Sequence, residues 1–362
     1  MIKDAAQKQK AVRYCVAHGY VPYMECIVRF SGDTSDSISD ITDVDVLGLR
    51  PASEAPARRV VFDCKTLAKT SGVNRALWAA GLQRLVGADE AFVILIKAAP
   101  HGHRLAASKV DVHLFSEILF DQYAQASSID YVENITYLDD LRAWDALWDI
   151  RTKLPRAAAL VEYLTSEAAF EQDPASGFRA LLSRLKQAEG EFDVSKPEHR
   201  MLYGILVSQA TAYLADVVRN FNTIFDPSMK LDAFQKSLRN YIWGGREGYE
   251  LRKRLQAALH ADRPEDGQEV QLPGWDAFVE LVRSLLDAPI LVGSSALPIK
   301  DLAFRELGTP SILADARIKR ELTSNPRARQ FALAVNRYIG SLSRLLQDCS
   351  EHLKNEVVRA SI

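Results

Sequence analysis

The chain has 362 residues, 48% of them hydrophobic and 25% charged, with a formal charge of −2 at pH 7. That composition excludes disordered, collagen-like and disulfide-scaffold chains and leaves enough apolar residues for a sizeable core, in two domains or one large one. The balance also excludes a uniformly basic nucleic-acid binder: residues 1–150 hold 16 Lys and Arg against 20 Asp and Glu, residues 151–362 hold 29 against 27, so any basic surface is local.

In chain order, a helix is expected over 3–18, ending at Gly19, followed by a strand over 20–30 that carries one acid, Glu25. Residues 31–40 read as loop by composition. Strands follow at 41–50 and 58–66, separated by the Pro/Ala-rich residues 51–57. Thr70 or Ser71 can cap a helix that runs to Val86 and stops at Gly87. The apolar run at 91–97 is short enough for a buried strand. A short helical piece at 105–109, an apolar run at 110–115 and a helix from Ser116 complete this part. Residues 128–155 connect it to a mostly helical remainder. Trp144, Leu147 and Trp148 there form a helical stripe that fits packing between the two parts. Helices are expected at about 156–172, 176–189, 197–222, 230–243, 247–260, 274–287, 299–307 and 326–358, with breaks at prolines and at Gly244-Gly245.

The informative stretch is 41–65. Alternation along a strand puts Asp43 and Asp45 on one face of the first run, and Val61, Asp63 and Lys65 on one face of the second. If the strands pair, Asp45, Asp63 and Lys65 converge. Two carboxylates and an ammonium are the parts of a hard-cation site with a charged group beside its water. The alternative is a set of exposed ion pairs on solvent-facing strands, worth little energetically. Asp is disfavoured in strands, and its recurrence in two apolar runs favours the site.

Asp45-Val-Leu-Gly and Phe62-Asp-Cys-Lys65 resemble the PD-(D/E)XK nuclease family, which includes restriction endonucleases and Holliday-junction resolvases; Val44 stands where the family name has proline. The resemblance covers about residues 5–125. It implies a mixed sheet flanked by helices, in a nuclease domain at 1–127, and leaves 156–362 as a helical domain for substrate binding, dimerisation or regulation. It implies Mg²⁺ (with Mn²⁺ able to substitute) held by Asp45, Asp63 and the Cys64 carbonyl, and Lys65 orienting or activating the attacking water. It also implies phosphodiester hydrolysis, in DNA rather than RNA, in restriction, phage defence or repair. Glu25 stands where several branches carry a further acid, for a first or second metal; the alternative is an edge-strand glutamate in water. Gln83 has a counterpart in exonuclease-like branches, with a surface glutamine as its alternative. A nuclease-fold scaffold without cleavage, its helical half a protein-interaction or nucleic-acid-binding module, is the competing reading of the whole.

Lys69, Arg75 and Arg84, in the same region, are candidates to meet a phosphate backbone, each unremarkable by itself. In the helical part, residues 317–344 hold seven Lys and Arg against one acid, Glu321, which makes Arg327 and Arg329 candidates for backbone contacts against a solvated helix face. Arg252-Lys253-Arg254 is denser but has acids beside it. His101 and His103 read as loop histidines without a third ligand. The four cysteines show no zinc spacing and read as free thiols. The N-terminus lacks an apolar signal core, and the run 201–215 is too short to span a bilayer, so a cytoplasmic location is expected. Phe331, Val335, Tyr338, Leu342, Leu345 and Cys349 recur at heptad spacing, which suits bundle packing or, as expected here, a homodimer through the C-terminal helix.

Overall fold

The computed structural model describes residues 2–31, 38–66, 71–259 and 270–362. Its N-terminal part is built on five strands in the order β1-β2-β3-β4-β5. Helix α1 (Ala5–Ala17) leads into β1 (Val21–Ser31), β2 (Ile38–Arg50) and β3 (Arg58–Lys65), an antiparallel meander. Parallel pairing then needs crossovers, and α2 (Gly72–Val86) and α3 (His101–Ser108) supply them before β4 (Glu90–Leu95) and β5 (Val112–Ser116). Covered on both faces, β4 is apolar along nearly its whole length. The expected mixed sheet flanked by helices is present.

Aromatic residues fix one face. Tyr14 of α1 lies 5.7 Å from Phe62, 5.2 Å from Phe92 and 5.7 Å from Phe120 of α4 (Glu117–Ser127), ring centroid to ring centroid. On the other face α2 comes so close that a Cβ on Gly72 would stand 3.3 Å from Leu114 and 3.5 Å from Leu95. The β1 end of that face is covered by the C-terminal helices: the Tyr23 hydroxyl donates to Gln209, and the Lys300 ammonium donates to the Pro22 carbonyl at 2.7 Å.

The remainder contains α5 (Leu141–Lys153), α6 (Ala158–Glu162), α7 (Pro174–Ala188), α8 (Pro197–Phe221), α9 (Leu231–Ile242), α10 (Gly245–Leu259), α11 (Trp275–Leu285), α12 (Ala296–Arg305), α13 (Ile312–Ser324), α14 (Pro326–Gly340) and α15 (Arg344–Ala360). Helix α8 is the axle. It is apolar and long enough to cross a membrane by length and composition, and its apolar stretch is buried among the other helices. Gly204 lets α12 approach until a Cβ would stand 2.6 Å from that of Ala303. Trp144 is buried on α5 against Phe304, centroids 4.6 Å apart, as the stripe at 144–148 suggested. The apolar core runs unbroken from the sheet into the helices.

Four readings need correction. His101 and His103 lie on α3, which begins at His101, not in a loop. The helix expected over 156–172 is α6 followed by a π-turn over Tyr163–Glu167. Helix α13 was not anticipated. The helix expected over 326–358 is a hairpin: Ser343 caps α15, its hydroxyl accepting from the Leu346 amide, and Gly340 has no Cβ to collide with Ser350 where the two helices meet. Phe331, Val335, Tyr338 and Cys349 of the heptad seam are therefore buried inside the chain, while Leu345 is exposed and Leu346 takes its place.

Candidate functional site

Pairing between β2 and β3 ends at Val46↔Phe62, one residue before Asp45 and Asp63 would meet. The Cys64 amide, left without a strand partner there, donates to the Asp45 side chain at 2.7 Å. Asp45 thus closes the end of the ladder with its carboxylate. Lys65 stands between the two acids, its ammonium 2.9 Å from Asp45 Oδ2 and 3.3 Å from Asp63 Oδ1. The convergence expected of Asp45, Asp63 and Lys65 is found, with Asp45 and Asp63 only 5% and 3% exposed.

Two further cations complete the group. Lys8 of α1 lies 3.0 Å from Asp45 Oδ1 and is paired with Glu25. Arg75, in the first turns of α2, holds Asp63 with both arms, Nε donating to Oδ2 at 2.7 Å and a terminal nitrogen to Oδ1, and lies over the Trp78 ring at 4.2 Å. Glu25 therefore belongs to the site, joined to Asp45 through Lys8. Its φ of 54° is a left-handed conformation inside a strand, a strained state held by the surrounding structure.

Burial pushes the carboxyls of Asp63 and Glu25 above their usual range, against the pull of Arg75 and Lys65 on the first and Lys8 on the second. Burial alone would lower Lys8 and Lys65; the fields of Asp45 and Asp63 at Lys65, and of Asp45 and Glu25 at Lys8, outweigh it and hold both above their ordinary values. Lys65 is thus a cation at neutral pH: it can orient a water or steady an anion, and it does not take a proton. Burial and the two aspartates push the Cys64 thiol well above its usual range, which leaves it inert.

Lys8, Glu25, Asp45 and Lys65 of this group line a cleft of about 650 Å³ together with Trp148 and Arg151 of α5 and Ser166 of the π-turn; Asp63 and Arg75 are not among its lining residues. Asp43 also reaches this cleft, exposed. Lys8, Arg151 and Ser166 were not anticipated. Lys8 had one legible signal, a lysine on the stripe that α1 buries with Ala11, Val12 and Cys15; for the other two the sequence carries none.

The remaining candidates are scattered. Lys69 lies outside the described residues. Arg75 binds Asp63, so it is part of the acid cluster and not a free phosphate contact. Arg84 is exposed on the last turn of α2, roughly 13 Å along the helix from Arg75. Gln83 donates to the Asp89 carbonyl at 3.0 Å, at the opposite end of β3 and β4 from Lys65, so it is no site residue. In the basic stretch Arg317 is buried against Asp301 and Glu321, Arg320 pairs with Asp130 at 2.9 Å and Arg327 with Asp287 at 2.8 Å. Arg329 has no partner among the described residues. His113 stacks on Phe92, centroids 4.7 Å apart, and no group of three or more His, Cys, Asp or Glu placed for a metal occurs among the described residues. No family model, curated protein or solved structure matches this chain.

Proposed function

We propose that the chain is a metal-dependent phosphodiesterase acting on nucleic acid, with DNA favoured, and that Asp45, Asp63 and Lys65 carry the reaction. The observation that carries this reading is the meeting of two nearly buried carboxylates from adjacent strands on a single ammonium, at 2.9 and 3.3 Å, beside a cleft large enough for a nucleotide. The donor type suits Mg²⁺, since the carboxylate oxygens of Asp45 and Asp63 are hard ligands; binding would require Lys8, Lys65 or Arg75 to give up part of its hold on them. Bound there, the ion would lower the pKa of a water and steady the charge that develops on the phosphate. Lys65, held protonated, would orient that water or the phosphate oxygen, and Arg75 would fix the angle of Asp63. Arg151, which also lines the cleft, would meet a phosphate there.

The competing reading has its own observation. Glu25, Asp45 and Asp63 are matched by Lys8, Lys65 and Arg75, so the acids are neutralised by the chain itself, as in a structural ion network on a scaffold that does not cleave. Incubation with plasmid, single-stranded DNA and RNA, with Mg²⁺ or Mn²⁺ and an EDTA control, separates the two. Cleavage that needs the metal and is lost in Asp63→Ala and Lys65→Ala supports the enzyme. Divalent binding should weaken in Asp63→Ala and persist in Lys65→Ala. No cleavage by the wild type with either metal favours the scaffold.

A further inference from the structure

A second cavity, of about 340 Å³, lies where the far end of β2 meets α12, α13 and α14. Arg50 and Arg329 line it, with Ser294 and Ser295 beside them and Pro51 and Leu297 as apolar surface. Arg50 stands five residues along the strand from Asp45, roughly 17 Å at the rise of a strand, so this cavity is separate from the cleft described above.

Neither arginine has an acidic partner among the described residues. Arg50 donates to the His18 carbonyl and rests 4.8 Å from the Tyr20 ring, contacts that hold its guanidinium in place while leaving most of its fork unused. Arg329 has no side-chain partner there at all. The one acid on the wall, Glu321, is paired with the buried Arg317. Two guanidinium groups lining one cavity without an acidic partner among the described residues make it a place where an anion is favoured. The Ser294 and Ser295 hydroxyls donate to the Leu291 and Val292 carbonyls at 2.8 and 3.2 Å, which leaves their oxygens as acceptors for a ligand hydroxyl. The volume falls in the range of small-molecule sites.

We infer that this cavity binds a small organic phosphate, with the phosphate on Arg50 and Arg329 and a hydroxyl-bearing body against the two serines. The site does not depend on the nuclease reading, and a failure of one leaves the other standing. The test is isothermal titration of the full chain at low ionic strength with three probes: AMP, inorganic phosphate and adenosine. AMP and phosphate should bind saturably, AMP more tightly, and adenosine should not bind. Arg329→Gln should weaken both about tenfold, the scale of one lost charge-assisted contact, without lowering the melting temperature of the free protein. Asp45→Asn, in the other cleft, should leave AMP binding unchanged. The assignment is overturned if neither AMP nor phosphate binds the wild type saturably, if phosphate binds and AMP does not, or if Arg329→Gln binds AMP as the wild type does. Loss of AMP binding in Asp45→Asn would also overturn it, by placing the phosphate in the first cleft.

Discussion

Asp301 and Arg317 in the helical region, with Glu321 beside them, repeat the carboxylate–guanidinium pair of Asp63 and Arg75 at the sheet, in different surroundings. Asp301 is fully buried and accepts from the Thr136 hydroxyl at 2.9 Å, from the Tyr137 amide at 2.7 Å and from Arg317; Arg317 also donates to the Ile135 carbonyl at 3.0 Å. Asp301 and Arg317 are closed off, with side chains 0% and 1% exposed, and their work is to clip residues 135–137 onto α12 and α13; Glu321 alone of the three reaches the surface. At the sheet, Lys65 and Glu25 keep about a quarter of their side-chain surface exposed, beside a cleft. A buried ion pair is thus poor evidence for a site by itself. Access, and a cation that can be exchanged, make the difference.

The comparison breaks first at the closed cluster. Arg317→Met should cost about 3–5 kcal/mol, because it leaves Asp301 buried with its charge unpaired; denaturant unfolding measures it, and a loss near zero would make the two clusters alike. Cleavage should be untouched in whatever fraction stays folded. At the sheet the expectation is reversed. Lys65→Ala should lower cleavage by roughly 10²–10⁴-fold while the thermal midpoint changes little, since its ammonium already meets the cleft. Glu25→Gln should leave the fold intact and raise the Mg²⁺ concentration needed for half-maximal cleavage; an unchanged metal titration would return Glu25 to a partner of Lys8 alone.

Lys300 sharpens the contrast from a third side, as a buried cation with a carbonyl and two rings for company. Its ammonium lies 3.6 Å from the Tyr23 centroid and 5.4 Å from that of Trp144, and burial lowers its pKa to about 7. Between that value and 10.5, its ordinary one, the unfolded chain binds a proton that the folded chain does not, so stability should rise with pH across the window. Lys300→Met should flatten that rise and stabilise the protein at pH 6 by something on the order of 1–4 kcal/mol, as seen in chemical denaturation at several pH values. The smallest effect concerns the C-terminal hairpin. Leu345→Glu should leave the melting temperature and the mass by light scattering unchanged, whereas Leu346→Glu, at a fully buried position, should lower stability.

The sheet was legible because strand period and turn chemistry agree: 91–97 is an apolar run of the right length, and 41–50 and 58–66 carry their acids among apolar residues in alternation. The site was legible as far as Asp45, Asp63 and Lys65, because acids in strands violate a propensity and so announce themselves. Arg75 was visible as a residue but not in its role, since its partner is set by how α2 lies on the sheet. The hairpin at 340–343 stayed hidden because the heptad count ran on across the turn, through Leu345, which is exposed, to Cys349, which is buried. Arg317, counted among seven cations, looked like surface; its burial depends on Asp301, sixteen residues away and on another helix.

The Cys64 amide gives this protein a reporter of its own. Its proton is shared with Asp45 Oδ2, the same oxygen that the Lys65 ammonium approaches. A proton or a metal ion, by drawing electron density from that carboxylate, has to weaken the N–H···O contact at the end of β3, whereas a phosphate that draws Lys65 away has to strengthen it. Labelled at one backbone nitrogen, the chain would register a cation at Asp45 as a chemical shift with faster amide exchange and an anion at Lys65 as a shift with slower exchange, with no substrate turned over.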